Sequence, residues 1–172
     1  MATNTEQFIE EVNSKLKIKS IRLVVEFFIT FARFECALKS SIEFANGNGD
    51  KVEANWSKFA SSIKDSFNPD ENKKLKDAVD YIIQYPPKIQ ILLDGRLRWR
   101  DRIFQPNEPE IHKLSQHLRD IRNNLFHGGK FNGNYQEDVS RNYILLYNSI
   151  IILNEWLNLD SEVKRNFLEP IS

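Results

Sequence analysis

The chain of 172 residues carries 24 basic and 24 acidic side chains, 41% hydrophobic residues and a single cysteine; it suits one domain over residues 1–172 that needs no disulfide to fold. Cancelling charges exclude the global field of a strongly basic nucleic-acid-binding domain, so any polyanion site must be local. The opening MATNTEQFIEE lacks the apolar core of a signal peptide, and no apolar run approaches the ~20 residues of a membrane helix, so a soluble, cytoplasmic protein is expected.

Glycines and prolines fall in few clusters, and the pattern between them is helical. From about Thr5 to Ala45 runs a long segment, two helices or one bent helix, in which Ile21, Val25, Phe28, Ala32, Glu35, Leu38 and Ile42 form one stripe. Val24, Phe27, Phe31 and Phe34 widen it, as suits the centre of a bundle. Cys36 lies in this apolar pattern and reads as a small core residue. Glu35 interrupts the stripe: either it sits solvated at the rim, or a cation such as Arg122 partners it. After the breaker Asn46–Asp50 (NGNGD), Val52 to Phe67 reads as a shorter helix with Trp56, Phe59, Ala60 and Ile63 inward. Asp70 can cap the next, which runs to Tyr85 with Leu75, Val79, Ile82 and Ile83 on its apolar side and stops at Pro86-Pro87.

Lys88 to Phe104 mixes two signals. Ile89, Leu92, Leu93, Leu97 and Trp99 fit a helix, whereas Arg96, Arg98, Arg100 and Arg102 alternate as in a strand; a helix is expected. Lys88 to Lys130 holds nine basic against five acidic residues, the one long stretch with a basic excess, which favours a polyanion there as readily as a solvated charged face. Within it, Ile111, Leu114, Leu118, Ile121 and Leu125 recur at spacings of three and four, the buried face of an amphipathic helix. Off that face come Arg122, Asn123 and His127, followed by Gly128 and Gly129, which end a helix readily. Five helical positions rotate a side chain by about 140°, so Arg122 and His127 converge on one ligand only if the helix unwinds near Phe126. Arg offers a planar fork for two phosphate oxygens and His a proton near neutral pH. Arg119, one turn before Arg122 and Asn123, either adds phosphate affinity or is a surface cation. His112 and His117 read as surface side chains. A last helix, Tyr135 to Leu159, places Val139, Tyr143, Leu146, Tyr147, Ile150, Leu153 and Leu157 inward. The helical pattern predicts an all-α bundle whose long N- and C-terminal helices flank the 109–127 helix.

The string Arg122-Asn123-Asn124-Leu125-Phe126-His127-Gly128, at the end of a long helix, resembles the Arg-polar-x-x-x-His signature of the HEPN superfamily. The likeness covers about twenty residues; elsewhere it is one of helical layout. It implies an all-α HEPN-like bundle and a metal-independent endoribonuclease of a toxin–antitoxin or phage-defence system. RNA is then its substrate, an antitoxin or other neutralising protein a partner, and no cofactor is called for. On that reading Arg122 clamps the phosphate charge, His127 moves protons and Asn123 holds the His or a phosphate oxygen, with Glu35 and Arg119 in support. One His cannot serve both proton transfers at once, so a homodimer joining two Arg–His sets is expected. The alternative is a non-catalytic HEPN-like module that partners a nucleotidyltransferase or another protein, with Arg122 in a structural ion pair and His127 as a cap.

Overall fold

A computed structural model describes residues 21–126 and 139–169, together with positions 3, 5–7 and 10. Among the described residues the first long helix, α1 (Ile21–Lys39), is followed by the strands β1 (Ala45–Asn48) and β2 (Lys51–Ala54) and the short helix α2 (Trp56–Ser62). After a single 3-10 turn come α3 (Lys73–Gln84), the strands β3 (Ile89–Leu93) and β4 (Arg96–Arg100), α4 (Glu110–Phe126), α5 (Val139–Leu159) and α6 (Ser161–Leu168). The expected all-α class is therefore corrected: the fold is largely helical but carries two separate antiparallel hairpins, β1–β2 and β3–β4.

Turn chemistry accounts for both hairpins. Leu93 pairs with Arg96 across Asp94-Gly95, both of which have positive φ (51° and 69°). That is a two-residue type I′ connection, for which Asp-Gly is a preferred pair because its twist matches that of the strands. The segment 88–104, expected to be helical, is thus a hairpin at its centre. Similarly, Asn48 pairs with Lys51 across Gly49-Asp50, with Gly49 at φ 61°, so the supposed breaker NGNGD is half of a β-ribbon. Because β2 occupies residues 51–54, helix α2 starts at Trp56, capped by the Asn55 side chain, which accepts from the Lys58 amide at 2.9 Å.

Helix α3 is capped by Asn72, not Asp70: the Asn72 side chain accepts from the Lys74 and Leu75 amides. Leu75, Ala78, Val79 and Ile82 are its buried residues. At the C-terminal end Asp160 caps α6 by accepting from the Val163 amide at 2.9 Å, a helix beyond the expected end of the bundle. Arg33 of α1 holds α6 in place by donating to the Phe167 carbonyl from Nε at 3.1 Å.

Helix α1 packs on α5 and α6, α3 on α5, and α2 on α4. Their buried side chains form one cluster with Trp156 at its centre, completely buried and in ring contact with Phe34, Phe59 and Phe67. Burial on α1 differs from the expected stripe. Phe27, Thr30, Phe31, Phe34, Ala37 and Leu38 are buried, whereas Val25, Phe28 and Ile42 are exposed. Cys36 is exposed as well, not a core residue. The buried face is centred on Phe27, Phe31 and Phe34, which the sequence places beside the stripe, roughly 110° round the helix from the stripe's own centre. On α5, Leu146, Ile150, Leu153 and Leu157 are buried as expected, while Tyr143 and Tyr147 face outward. No helix among the described residues is long and apolar enough to cross a membrane.

Candidate functional site

Helix α4 carries Arg122 and Asn123 and is buried on two sides. Ile111, Leu114, Leu118 and Ile121 enter the core as the spacing predicts. His117, Asp120 and Asn124 form a second buried row, which holds the β3–β4 hairpin at its base. Arg102, just past β4, donates from Nε and Nη2 to the two carboxylate oxygens of Asp120, both at 2.6 Å. Asn124, one turn on, donates to the Lys88 carbonyl at 2.7 Å. The bidentate Asp120 pair hydrogen-bonds Arg102 and holds its pKa above the ordinary arginine value.

His117 is also corrected: it is buried, its ring meeting Phe104 edge-on at 5.1 Å between centroids. Burial pulls its pKa down to about 4; the Asp120 charge works against that and the Arg102 and Lys113 charges work with it. His112 is partly buried, with its Nε2 3.1 Å from the Ser61 hydroxyl of α2, a tie between α2 and α4. Neither His points at Arg122, since His117 belongs to the hairpin side and His112 to the α2 side.

On the remaining side of α4 lie Arg119, Arg122 and Asn123. They line a pocket of about 210 Å³ closed by Phe31, Glu35 and Lys39 of α1, by Glu53 and Ala54 of β2, and by Trp56. Arg122 is fixed from three directions. Its Nη2 donates to Glu35 Oε2 at 2.9 Å, its Nη1 donates to Asn123 Oδ1 at 2.8 Å, and its guanidinium carbon sits 5.3 Å from the centre of the Phe31 ring. Phe31 in turn stacks on Trp56 at 5.1 Å, so the guanidinium rests on a fixed aromatic floor. Glu35 holds a second cation, Lys39, at 2.9 Å, one helical turn away. Burial pushes the Glu35 carboxyl up, but hydrogen bonds and charge from Lys39 and Arg122 outweigh it and hold the group below its ordinary pKa.

No family model, curated protein or solved structure matches the chain. The chemistry therefore rests on these residues alone. Two of the five guanidinium donors of Arg122 are engaged by Glu35 and Asn123, and its side chain keeps 32% of its exposure. With Arg119 and Lys39 beside it, the pocket sets three cations against the carboxylates of Glu35 and Glu53, a local environment that suits an anion in an otherwise neutral protein.

The structure brings together four of the five residues singled out in the sequence: Glu35, Arg119, Arg122 and Asn123 share this pocket. His127, with Gly128 and Gly129, lies outside the described residues. Lys39, Phe31 and Trp56 were missed. Lys39 could have been found from its place four residues after Glu35, the spacing of a helical ion pair. Nothing in the sequence distinguishes Phe31 or Trp56 from other core aromatics.

Proposed function

We propose that this protein is a metal-independent endoribonuclease of the HEPN type, acting in the cytoplasm as a toxin or phage-defence effector. The observation that carries the reading is Arg122, held over Phe31 between Glu35 and Asn123 in a partly open pocket that also gathers Arg119 and Lys39. RNA contains its own nucleophile, so the protein has only to move protons and stabilise charge. The 2′-oxygen attacks phosphorus, the bond to the 5′-oxygen breaks, and a 2′,3′-cyclic phosphate and a 5′-hydroxyl result. His127 takes the 2′-hydroxyl proton, and His127 of a second copy gives one to the leaving 5′-oxygen. Arg122 stabilises the negative charge that builds on the non-bridging oxygens. Glu35 and Asn123 position Arg122, and Arg119 adds attraction for the flanking phosphate. A homodimer is part of this proposal, as is an antitoxin that covers the site in the resting cell.

One observation favours a second reading. The Arg122–Glu35 pair is the structural ion pair that a non-catalytic module, partnering a nucleotidyltransferase or another protein, would contain. Incubation of purified protein with total RNA in the presence of a metal chelator separates the two. The nuclease reading expects cleavage that persists in chelator, leaves 2′,3′-cyclic phosphate ends, spares DNA and vanishes in His127→Ala. Intact RNA with the folded wild-type protein, free of any neutralising partner, overturns it.

A further inference from the structure

The β3–β4 hairpin carries a feature that the Arg122 pocket does not use. Side chains at alternate strand positions share a face, so Arg96, Arg98 and Arg100 form a row along β4, and all three are exposed. Their cross-strand partners are Leu93, Ile91 and Ile89, so no acidic residue of β3 lies opposite them. Among the described residues none of the three is in an ion pair, whereas Arg102, next in the series, is bound by Asp120. On the other face Leu92 and Leu97, opposite one another, are 74% and 53% exposed, and Trp99 is half-buried beside Gln90. The ribbon is fixed at its base to the hairpin side of α4 by the Asp120–Arg102 and Asn124–Lys88 contacts. Asp120 and Arg122 are two positions apart, about 200° round the helix, so the arginine row and the pocket occupy opposite sides of α4.

We propose that this arginine row is a second RNA-binding element, which holds the backbone of a single-stranded segment away from the site of cleavage. The choice of RNA rests on the ribonuclease reading; the choice of a polyanion rests on the row itself. Successive arginines stand about 6.7 Å apart, two strand residues of rise, roughly twice the 3.4 Å axial rise per nucleotide of a stacked strand. An extended strand can therefore set consecutive phosphates on consecutive arginines. A flexible single strand follows a twisted ribbon, and Ile91 and Leu93, cross-strand from Arg98 and Arg96 on the same face, give its bases an apolar surface. The bidentate fork of arginine suits phosphate oxygens better than an ammonium does.

The test measures binding of a fluorescent 12-nucleotide oligouridine, 2′-O-methylated throughout so that it cannot be cleaved, over a range of salt concentrations. The protein is the full chain and a variant with Arg96→Gln, Arg98→Gln and Arg100→Gln together. Each phosphate contact on a single strand contributes about 0.7 to the slope of log K against log salt, so losing three lowers it by about 2 and weakens binding roughly a hundredfold at 0.1 M salt. A matched triple Lys variant should keep most of the slope, which separates lost charge from lost structure. An unchanged slope in the Gln variant overturns the proposal, as does an equal loss of binding to a 12-base-pair DNA duplex, which would make the row a general polyanion surface. Since the probe cannot be cut, a protein without nuclease activity that still binds through the row removes the nuclease reading and leaves this one standing.

Discussion

Arg122 and Glu35 make opposite predictions under the two functional readings. If the guanidinium stabilises charge on phosphorus, Arg122→Lys should lower kcat/KM by about a hundredfold or more, because an ammonium cannot span two oxygens. Glu35→Gln keeps the shape but weakens the grip on Arg122, and about a tenfold loss of cleavage with little change in melting temperature is expected. A large drop in stability and no effect on cleavage in either variant would make the pair structural. His117 gives a prediction about pH. Its folded pKa of about 4 lies below the ordinary 6.5, so between those values the unfolded chain takes up a proton that the folded chain refuses. The stability that comes from keeping His117 neutral is complete above pH 6.5 and declines as pH falls towards 4, by about 3 kcal/mol in all. Glu35, also held below its ordinary pKa of 4.5, contributes stability that is lost in the same direction but only at more acid pH, below most of the range of the His117 effect. Urea denaturation of the wild type and of His117→Leu at pH 7 and pH 5 should show a markedly smaller pH difference in the variant.

Among the elements, the β3–β4 hairpin shows where the sequence was legible and where it was misread. The arginine alternation signals a strand and the Asp94-Gly95 pair a two-residue hairpin turn, but Leu92, Leu93 and Leu97 also fit a helical period, and only the turn pair decides between the two. The rotated face of α1 has a different cause. In IRLVVEFFITFARFECALK 13 of 19 positions are apolar and they reach round most of the helix, so hydrophobicity selects one side only weakly, and the choice falls to the rings that interlock with Trp56 and Trp156. By contrast α4, with polar residues between its leucines, buries Ile111, Leu114, Leu118 and Ile121 of its expected core face, and Leu125 packs against the core partly buried. Its second buried row was not, because Asp120 and His117 look like surface residues until a partner 18 residues away, Arg102, is known. That partnership is testable. Arg102→Ala leaves the Asp120 carboxylate buried without its cation and should cost about 2–3 kcal/mol, less than for a fully enclosed pair because Arg102 keeps 29% of its side-chain exposure. A cost under 0.5 kcal/mol in denaturant melts would mean that water replaces the arginine.

At the scale of the molecule, one aromatic side chain ties the helices together. Trp156 is completely buried and meets rings from α1, α2 and the turn after α2, so Trp156→Ala should destabilise by about 3–5 kcal/mol and lower the denaturation midpoint with an unchanged slope. The proposed homodimer belongs to the same scale. Val25, Ile29 and Cys36 are exposed along one side of α1, beside the turn that bears Glu35 and Lys39. If this side joins two copies, light scattering at micromolar concentration gives twice the 20.2 kDa chain mass, mild oxidation crosslinks Cys36 to Cys36, and Ile29→Glu returns a monomer. A monomer that cleaves RNA at full rate would remove the two-histidine argument.

The placing of Asp120 and Asn124 on one side of α4 and Arg122 on the other has a consequence for which changes in length this gene can accept. One codon inserted between positions 120 and 122 turns everything beyond it by about 100°, so Arg122 leaves Glu35 or Asp120 leaves Arg102, and no shift of the helix as a whole restores both. The same insertion at Asp94-Gly95, where the ribbon merely reverses, lengthens a loop and disturbs neither contact. A scan of single-residue insertions should find the hairpin tip permissive and the two turns of helix from 118 to 124 closed to change.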